Sequence, residues 1–158
     1  MSLPRCSPYP GTSAQPNDIR LLADQYRNAA LELLRSRGLA AATIRSPAMF
    51  CAIHAIELYL NAQIRDAGGT PELVRGYRHR LGEMSAHEAI AALNLRKKTR
   101  DHLGTMTAER EYLVVRYAPD QKAQCSELTR LTATLEEVAT KVGSAMDRRT
   151  GSRTEKAG

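Results

Sequence analysis

The sequence has no tryptophan and a single phenylalanine among its 158 residues. Because bulky aromatic residues are typical of strands, their scarcity argues against a core built on a sheet. Apolar residues still make up 42% of the chain, so a core of Leu, Ile, Val, Ala and Met is available. Alanine and leucine also favour helices. The composition therefore predicts one compact all-α domain.

Cysteines and long apolar runs are also scarce. Cys6, Cys51 and Cys125 lie far apart without metal-ligand spacing, and Cys51 sits in an apolar run that suits a small core residue. No apolar segment approaches the roughly 18 residues of a membrane-spanning helix. The chain also does not open with a charged segment followed by an apolar one. We therefore expect a reduced, cytoplasmic protein that contacts no membrane.

The chain carries a formal net charge of +6, and its basic residues are unevenly distributed. Between positions 75 and 100, seven basic residues stand against Glu83 and Glu88. The seven are Arg75, Arg78, Arg80, Arg96, Lys97, Lys98 and Arg100. Such a basic segment permits an acidic partner such as nucleic acid, although a solvated charged surface is the commoner meaning of this pattern.

The chain divides into a body and two ends. Residues 1–16 are rich in proline, serine and glycine without periodicity, which predicts a disordered leader, and the polar, basic residues 148–158 predict a disordered tail. Residues 17–147 are predicted to form an up-and-down bundle of four to five main helices. Apolar spacings of three and four predict the helices 18–37, 47–67, 86–103, 107–117 and 121–147.

Local signals refine this prediction. Ser46 followed by Pro47 is typical of a helix N-terminus, and Ser85 with Glu88 matches a capping box. Thr70-Pro71-Glu72 predicts the start of a short helix that ends near residue 76. The last helix carries an apolar stripe of Leu128, Leu131, Leu135, Val138 and Val142. Such a stripe is typical of a bundle helix or of a dimer interface.

The segment FCAIHAIELYLNA, residues 50–62, places polar residues inside an apolar helix. At 100° per residue, His54, Glu57, Asn61 and Arg65 fall within about 60° of one another, and we call them the polar stripe. A neighbouring apolar stripe consists of Met49, Ile53, Ile56, Leu60 and Ile64. A carboxylate beside a buried face needs a partner. We expect Glu57 to be buried and paired with His79 or an arginine, and His54 to be an interior histidine.

A metal site and nucleophilic catalysis both lack support in the sequence. Helical bundles that hold two metal ions use Glu-x-x-His motifs on separate helices. Here His54 and Glu57 occur in the reversed order and without a second copy. No serine or cysteine nucleophile motif and no glycine-rich phosphate loop is present. We therefore expect no metal and no bound cofactor.

Several elements together resemble a known family. In chain order they are Tyr26-Arg27-x-Ala29-Ala30, Ser46-Pro47, FCAIHAIELYLNA, His79-Arg80-Leu81 and Glu111-Tyr112-x-x-x-Arg116-Tyr117. This order resembles the HEPN domain (higher eukaryotes and prokaryotes nucleotide-binding) over about residues 18–145. The family usually has an acidic or amide residue where this chain has Arg80. The resemblance implies a helical bundle that usually dimerises. Beside the polar stripe we expect His79; Arg116 and Tyr117 either line the same groove or simply end the fourth helix.

Catalytic members of that family are similar in carrying an arginine and a later histidine that are separated by four to six intervening residues. The arginine would hold a phosphate while the histidine moves protons during attack by an RNA 2′-hydroxyl. Arg96 and His102 match this spacing, as do Arg80 and His87, but Lys97 departs from the polar residue that the family prefers. A charged, solvated helix face explains the same residues.

Three functions remain open from the sequence. The first is a noncatalytic HEPN-like module, homodimeric, that binds a nucleotide or nucleic acid or assembles with a nucleotidyltransferase. The second is a metal-independent ribonuclease of toxin type that uses Arg96 and His102. The third is a helical protein-interaction module without a nucleotide role.

Overall fold

The computed structural model describes residues 8–36, 41–120 and 125–157, and it is all-helical there, without a strand. The helices are α1 (Pro16–Arg35), α2 (Ala41–Asp66), α3 (Pro71–Gly76), α4 (Leu81–Ser85), α5 (Glu88–Ala91), α6 (Lys97–Ala108), α7 (Glu111–Tyr117) and α8 (Leu128–Ala157). The all-α prediction is confirmed. Across these ranges no helix combines the length and apolarity needed to traverse a bilayer.

Helix α2 is the centre of the core. It packs most extensively against α1 and next against α8, and it also contacts α7 and α5. Its predicted apolar stripe is buried throughout: Met49, Ile53, Ile56, Leu60 and Ile64 are each at most 3% exposed. The polar stripe therefore lies directly beside the most buried surface of the chain.

The predicted start of α2 at Ser46 and Pro47 is wrong, because the helix begins at Ala41 and contains Pro47. An internal proline lacks one backbone N–H and removes one hydrogen bond of the helix. Ala48 and Met49, which follow it, are almost fully buried. Their packing favours a continuous helix here despite the missing bond.

The predicted helix 86–103 is interrupted. Helix α5 is only one turn long, Asn94 has a left-handed backbone with φ of 52°, and α6 begins at Lys97. The capping box is also wrong, because His87 caps α5 by accepting the Ala89 N–H, while the Ser85 hydroxyl donates to a carbonyl of its own turn. The short helix after Thr70 is confirmed, with the Thr70 hydroxyl accepting the Leu73 N–H.

Helix α8 differs from its prediction at both ends. Residues 121–124 of the predicted helix lie outside the described residues, and α8 runs from Leu128 to Ala157. Residues 148–157 thus continue the helix instead of forming a disordered tail. Arg149 and Arg153 explain this, because both donate to the backbone carbonyl of Asp66 and lie 3.4 Å from its carboxylate.

The apolar stripe of α8 packs inside the chain. Leu131, Leu135, Val138 and Val142 are each at most 1% exposed, and α8 packs chiefly on α2. Because these four side chains are already covered within the chain, they form a bundle face and not an exposed dimer interface, while Leu128 is partly buried. Residues 1–7 of the predicted leader lie outside the described residues.

Candidate functional site

A cavity of about 580 Å³ lies between α2 and α3, and we call it the α2–α3 pocket. Its volume is typical of small-molecule sites. The whole polar stripe lines it, namely His54, Glu57, Asn61 and Arg65, together with His79 from the loop between α3 and α4. The side chains that the sequence grouped on one helix face therefore share one cavity.

Glu57 and His79 form an ion pair in this pocket. His79 Nδ1 lies 2.8 and 2.9 Å from the two carboxylate oxygens, so the predicted contact is present. Burial raises the pKa of the Glu57 carboxyl, but His54 and His79 outweigh it and lower the pKa to about 2. The hydrogen bond to Glu57 raises the pKa of His79 above its usual value. The Glu57 side chain is 19% exposed, so it is partly buried and not fully so.

The loop that carries His79 has an unusual backbone. Arg78 and His79 have φ angles of 47° and 66°, both in the left-handed region. This region costs about 1–2 kcal/mol for each residue that is not glycine, and such strain is frequent at functional sites. The His79 side chain is held on one side by Glu57 and on the other by the Tyr112 ring, whose centroid is 4.9 Å away. These contacts offset the backbone strain.

Three arginines line the pocket. Arg65 donates to the Ala14 carbonyl at 3.1 Å. The Arg75 guanidinium lies 4.5 Å from the Tyr9 ring centroid and 3.1 Å from the Glu72 carboxylate. The third is Arg78. The sequence placed Arg65 in the polar stripe, but Arg75 and Arg78 appeared only as members of a basic segment. The closeness of Arg75 and Arg78 to His79 in the sequence is the signal that could have identified them as pocket residues.

Part of the predicted leader forms a wall of the pocket. Residues Tyr9, Pro10, Gly11 and Thr12 line the cavity, and Arg75 Nη1 donates to the Thr12 hydroxyl at 3.4 Å. Within residues 8–16 the leader is therefore packed against α2 and α3. No periodicity in the sequence indicates this contact, because it joins positions 63 residues apart.

Two polar atoms of the pocket are buried without a protein partner among the described residues. They are Nδ1 of His54 and Oδ1 of Asn61. His54 Nδ1 lies 3.9 Å from the Glu57 carboxylate, which is too long for a hydrogen bond. The His54 ring is fixed by Tyr26 in an edge contact and by Phe50 in a stacked one. The pocket lining thus includes two side chains with an unpartnered buried polar atom, as well as positively charged ones.

Arg116 and Tyr117, expected either in the groove of the polar stripe or at the end of the fourth helix, do not line the pocket. The Arg116 guanidinium lies 4.9 Å from the Phe50 ring centroid, and Phe50 in turn stacks on His54. Tyr117 is 75% exposed at the end of α7. Arg116 therefore borders the site through one intervening ring, whereas Tyr117 faces solvent.

Arg96 and His102 do not form an open pair within one chain. The backbone N–H and Nε of Arg96 donate to Glu137 at 2.7 and 2.8 Å. His102 is 0% exposed, and its ring nitrogens contact the hydroxyls of Thr134 and Ser126 at 2.7 and 2.6 Å. Burial lowers the pKa of His102 to about 4, so the ring is uncharged at neutral pH. His102 is thus enclosed in a polar network between α6 and α8.

Over the described part of the chain, no group of three or more His, Cys, Asp or Glu side chains is placed to hold a metal ion. Compared with known proteins, the chain matches no family model, no curated protein and no solved structure.

Proposed function

We propose that this chain is a noncatalytic HEPN-like module that binds the phosphate group of a nucleotide in the α2–α3 pocket. The observation that carries the proposal is the charge of the pocket lining. Arg65, Arg75 and Arg78 contribute positive groups, as does His79 when it is protonated, and among the described residues Glu57 is the only acidic one that lines the cavity.

The chemistry of these groups suits a phosphate. Arginine presents several N–H donors in a planar fork that matches phosphate oxygens. Glu57 would repel an anion if it were free, but its ion pair with His79 compensates that charge. Glu72 offsets part of the charge of Arg75, while Arg78 forms no ion pair with any described residue. Arg78 is therefore the cation best able to bind a ligand.

The remaining surface of the pocket suits a nucleoside. Tyr9 is 63% exposed as a residue and carries an aromatic ring, and aromatic rings stack on bases. His54 and Asn61 line the same cavity and contribute polar side chains to it. The resemblance of residues 18–145 to the HEPN domain supports a nucleotide over another phosphate compound. The same resemblance supports a nucleotidyltransferase as protein partner.

Titration calorimetry with AMP tests the proposal. We expect saturable binding, and we expect Arg78→Asn to weaken it about tenfold or more, because a hydrogen bond to a charged group contributes about 1.5–3 kcal/mol. Asparagine tolerates the left-handed backbone at this position. Arg148→Asn, which removes an exposed charge on α8, is the matched control and should bind AMP as the wild type does.

Two outcomes would count against this function. No binding at millimolar AMP would favour the interaction module without a nucleotide role. Cleavage of RNA in EDTA that is lost in His102→Ala, while circular dichroism shows that variant still folded, would favour the ribonuclease. The ribonuclease function requires His102 to leave its enclosed position, since the side chain is fully buried and both ring nitrogens contact hydroxyl groups.

We also propose that the chain is a homodimer. The resemblance implies a dimer, and α1 leaves Leu21 and Leu22 exposed by 51% and 41%. Light scattering at tens of micromolar should give about twice the chain mass of 17.4 kDa. A mass equal to one chain at that concentration would contradict the prediction.

A further inference from the structure

A second cavity, of about 610 Å³, lies beside the α2–α3 pocket, and we call it the Arg110 pocket. Its lining residues are Gly76, Arg78, Arg80, Thr107, Arg110 and Tyr112. Three of these six described residues are arginines, and none of the six is acidic. Their charge makes the cavity a candidate site for an anion.

The three arginines differ in how they are engaged. Arg80 is tied in place, because it lies 3.0 Å from the Glu83 carboxylate and donates to the carbonyls of Tyr77 and Gly76. Arg78 and Arg110 make no side-chain hydrogen bond or ion pair with the described residues. Both also have left-handed backbones, with φ of 47° and 50°. The guanidinium groups of Arg78 and Arg110 are thus available to bind an anion, and they lie beside that of Arg80, which is fixed.

The walls of the Arg110 pocket are held at a set spacing. The Gly82 N–H donates to the Thr107 hydroxyl at 2.8 Å, which joins α4 to α6. The two helices also approach closely here, since a Cβ atom on Gly82 would lie 3.0 Å from the Gly104 Cα. A rigid frame of this kind preserves the geometry of a binding site. Arg80 and Arg110 are therefore presented from one connected frame.

The two pockets adjoin one another. Arg78 lines both of them. The rings of His79 and Tyr112 lie 4.9 Å apart, with His79 lining the α2–α3 pocket and Tyr112 lining the Arg110 pocket. A phosphate bound by Arg78 is therefore close to the arginines of both pockets, which lie on either side of the His79 and Tyr112 rings.

We propose that the Arg110 pocket is a second anion subsite that takes the next phosphate of a ligand held in the α2–α3 pocket. This inference rests on the proposed function, because the first phosphate is the one assigned there. The ligand then carries two or more linked phosphate groups. Such a chain of phosphates occurs in nucleoside polyphosphates and in oligonucleotides.

Calorimetry with AMP, ADP, ATP and a 5′-phosphorylated dinucleotide tests the subsite. We expect at least one of the ligands with a second phosphate to bind about tenfold tighter than AMP, as one added charged hydrogen bond allows. Arg110→Asn should reduce that gain to less than twofold and leave AMP binding unchanged. Asparagine is the matched substitution because it accepts the left-handed backbone of position 110. Arg148→Asn again serves as the control for loss of one charge.

The pattern of gains separates the two sources of linked phosphates. A gain with ADP and ATP alone identifies a nucleoside polyphosphate, and a gain with the dinucleotide alone identifies a strand. AMP binding that depends on Arg78, with no gain from any second phosphate, would overturn the subsite and leave the proposed function standing. Tripolyphosphate is titrated as a further ligand. If it binds in a way that depends on Arg110 while AMP does not bind, the nucleotide function is overturned but the anion subsite is retained. A gain that persists in Arg110→Asn would also overturn the subsite.

Discussion

Replacing His102 with alanine is expected to lower the free energy of unfolding by about 2–4 kcal/mol. The side chain is fully buried, so its removal leaves a cavity. It also leaves the hydroxyl of Thr134 without its partner. The Ser126 hydroxyl donates to the buried Glu111 carboxylate at 2.7 Å and accepts from His102, so the loss extends to α7. Urea denaturation followed by circular dichroism measures the change.

His87→Ala is the matched control for this experiment. His87 caps a helix of one turn at a more exposed position, so we expect a loss of about 1 kcal/mol or less. A loss for His102→Ala below about 0.5 kcal/mol would contradict the structural role. That result, combined with loss of an RNA-cleaving activity, would instead place His102 in a working site.

The pH dependence of stability gives an independent check on His102. Its pKa is about 4 in the folded chain and about 6.5 in an unfolded one. Between these values the unfolded chain binds the additional proton, so stability falls as the pH is lowered from about 6.5 towards 4. His102→Gln should make this decline shallower, because glutamine cannot take up that proton. Thermal melts at half-unit intervals of pH measure the difference in slope.

The features predicted correctly from the sequence are those set by local periodicity. His54, Glu57, Asn61 and Arg65 recur at spacings of three and four, which is sufficient to place them on one face of α2. The pocket that this face lines is a finding of the structure. The pairing of Glu57 with His79 or an arginine is also predictable, because a carboxylate beside a buried face needs a partner.

The features that were missed depend on contacts between distant positions. At the start of α6, the Arg96 backbone N–H donates to Glu137, which lies 41 residues further along the chain. The Tyr9–Thr12 wall depends on Arg75 in the same way. The enclosure of His102 depends on where α8 lies against α6, which the spacing of Arg96 and His102 does not encode. Periodicity identifies a helix face but not what covers it.

Glu57→Ala is the second substitution with a large expected effect, a loss of about 1–3 kcal/mol in the free energy of unfolding. It removes the ion pair that holds His79 and leaves two left-handed residues, Arg78 and His79, less restrained. His79 is 40% exposed, so the histidine that remains is hydrated and the loss stays below that of a fully buried pair. Urea denaturation at pH 6 measures the effect.

The pH profile of that loss has a definite shape. The contribution of Glu57 is present above its unfolded pKa of about 4.3 and disappears as the pH falls towards about 2. The contribution of His79 is complete below about pH 6.5 and disappears as the pH rises through its raised pKa. The difference in stability between wild type and Glu57→Ala should therefore be largest between about pH 4.5 and 6.5.

Glu57→Gln separates a structural anchor from a working site. Glutamine keeps the shape and one hydrogen bond to His79, so we expect a smaller loss of stability than with alanine and AMP affinity within about threefold of the wild type. A catalytic or ligand-binding carboxylate would instead give weaker AMP binding without a loss of stability. Loss of AMP binding in both variants, with melting temperatures unchanged, would show that Glu57 acts on the ligand. A stability loss graded from glutamine to alanine shows instead that Glu57 positions the loop from which Arg78 reaches both pockets.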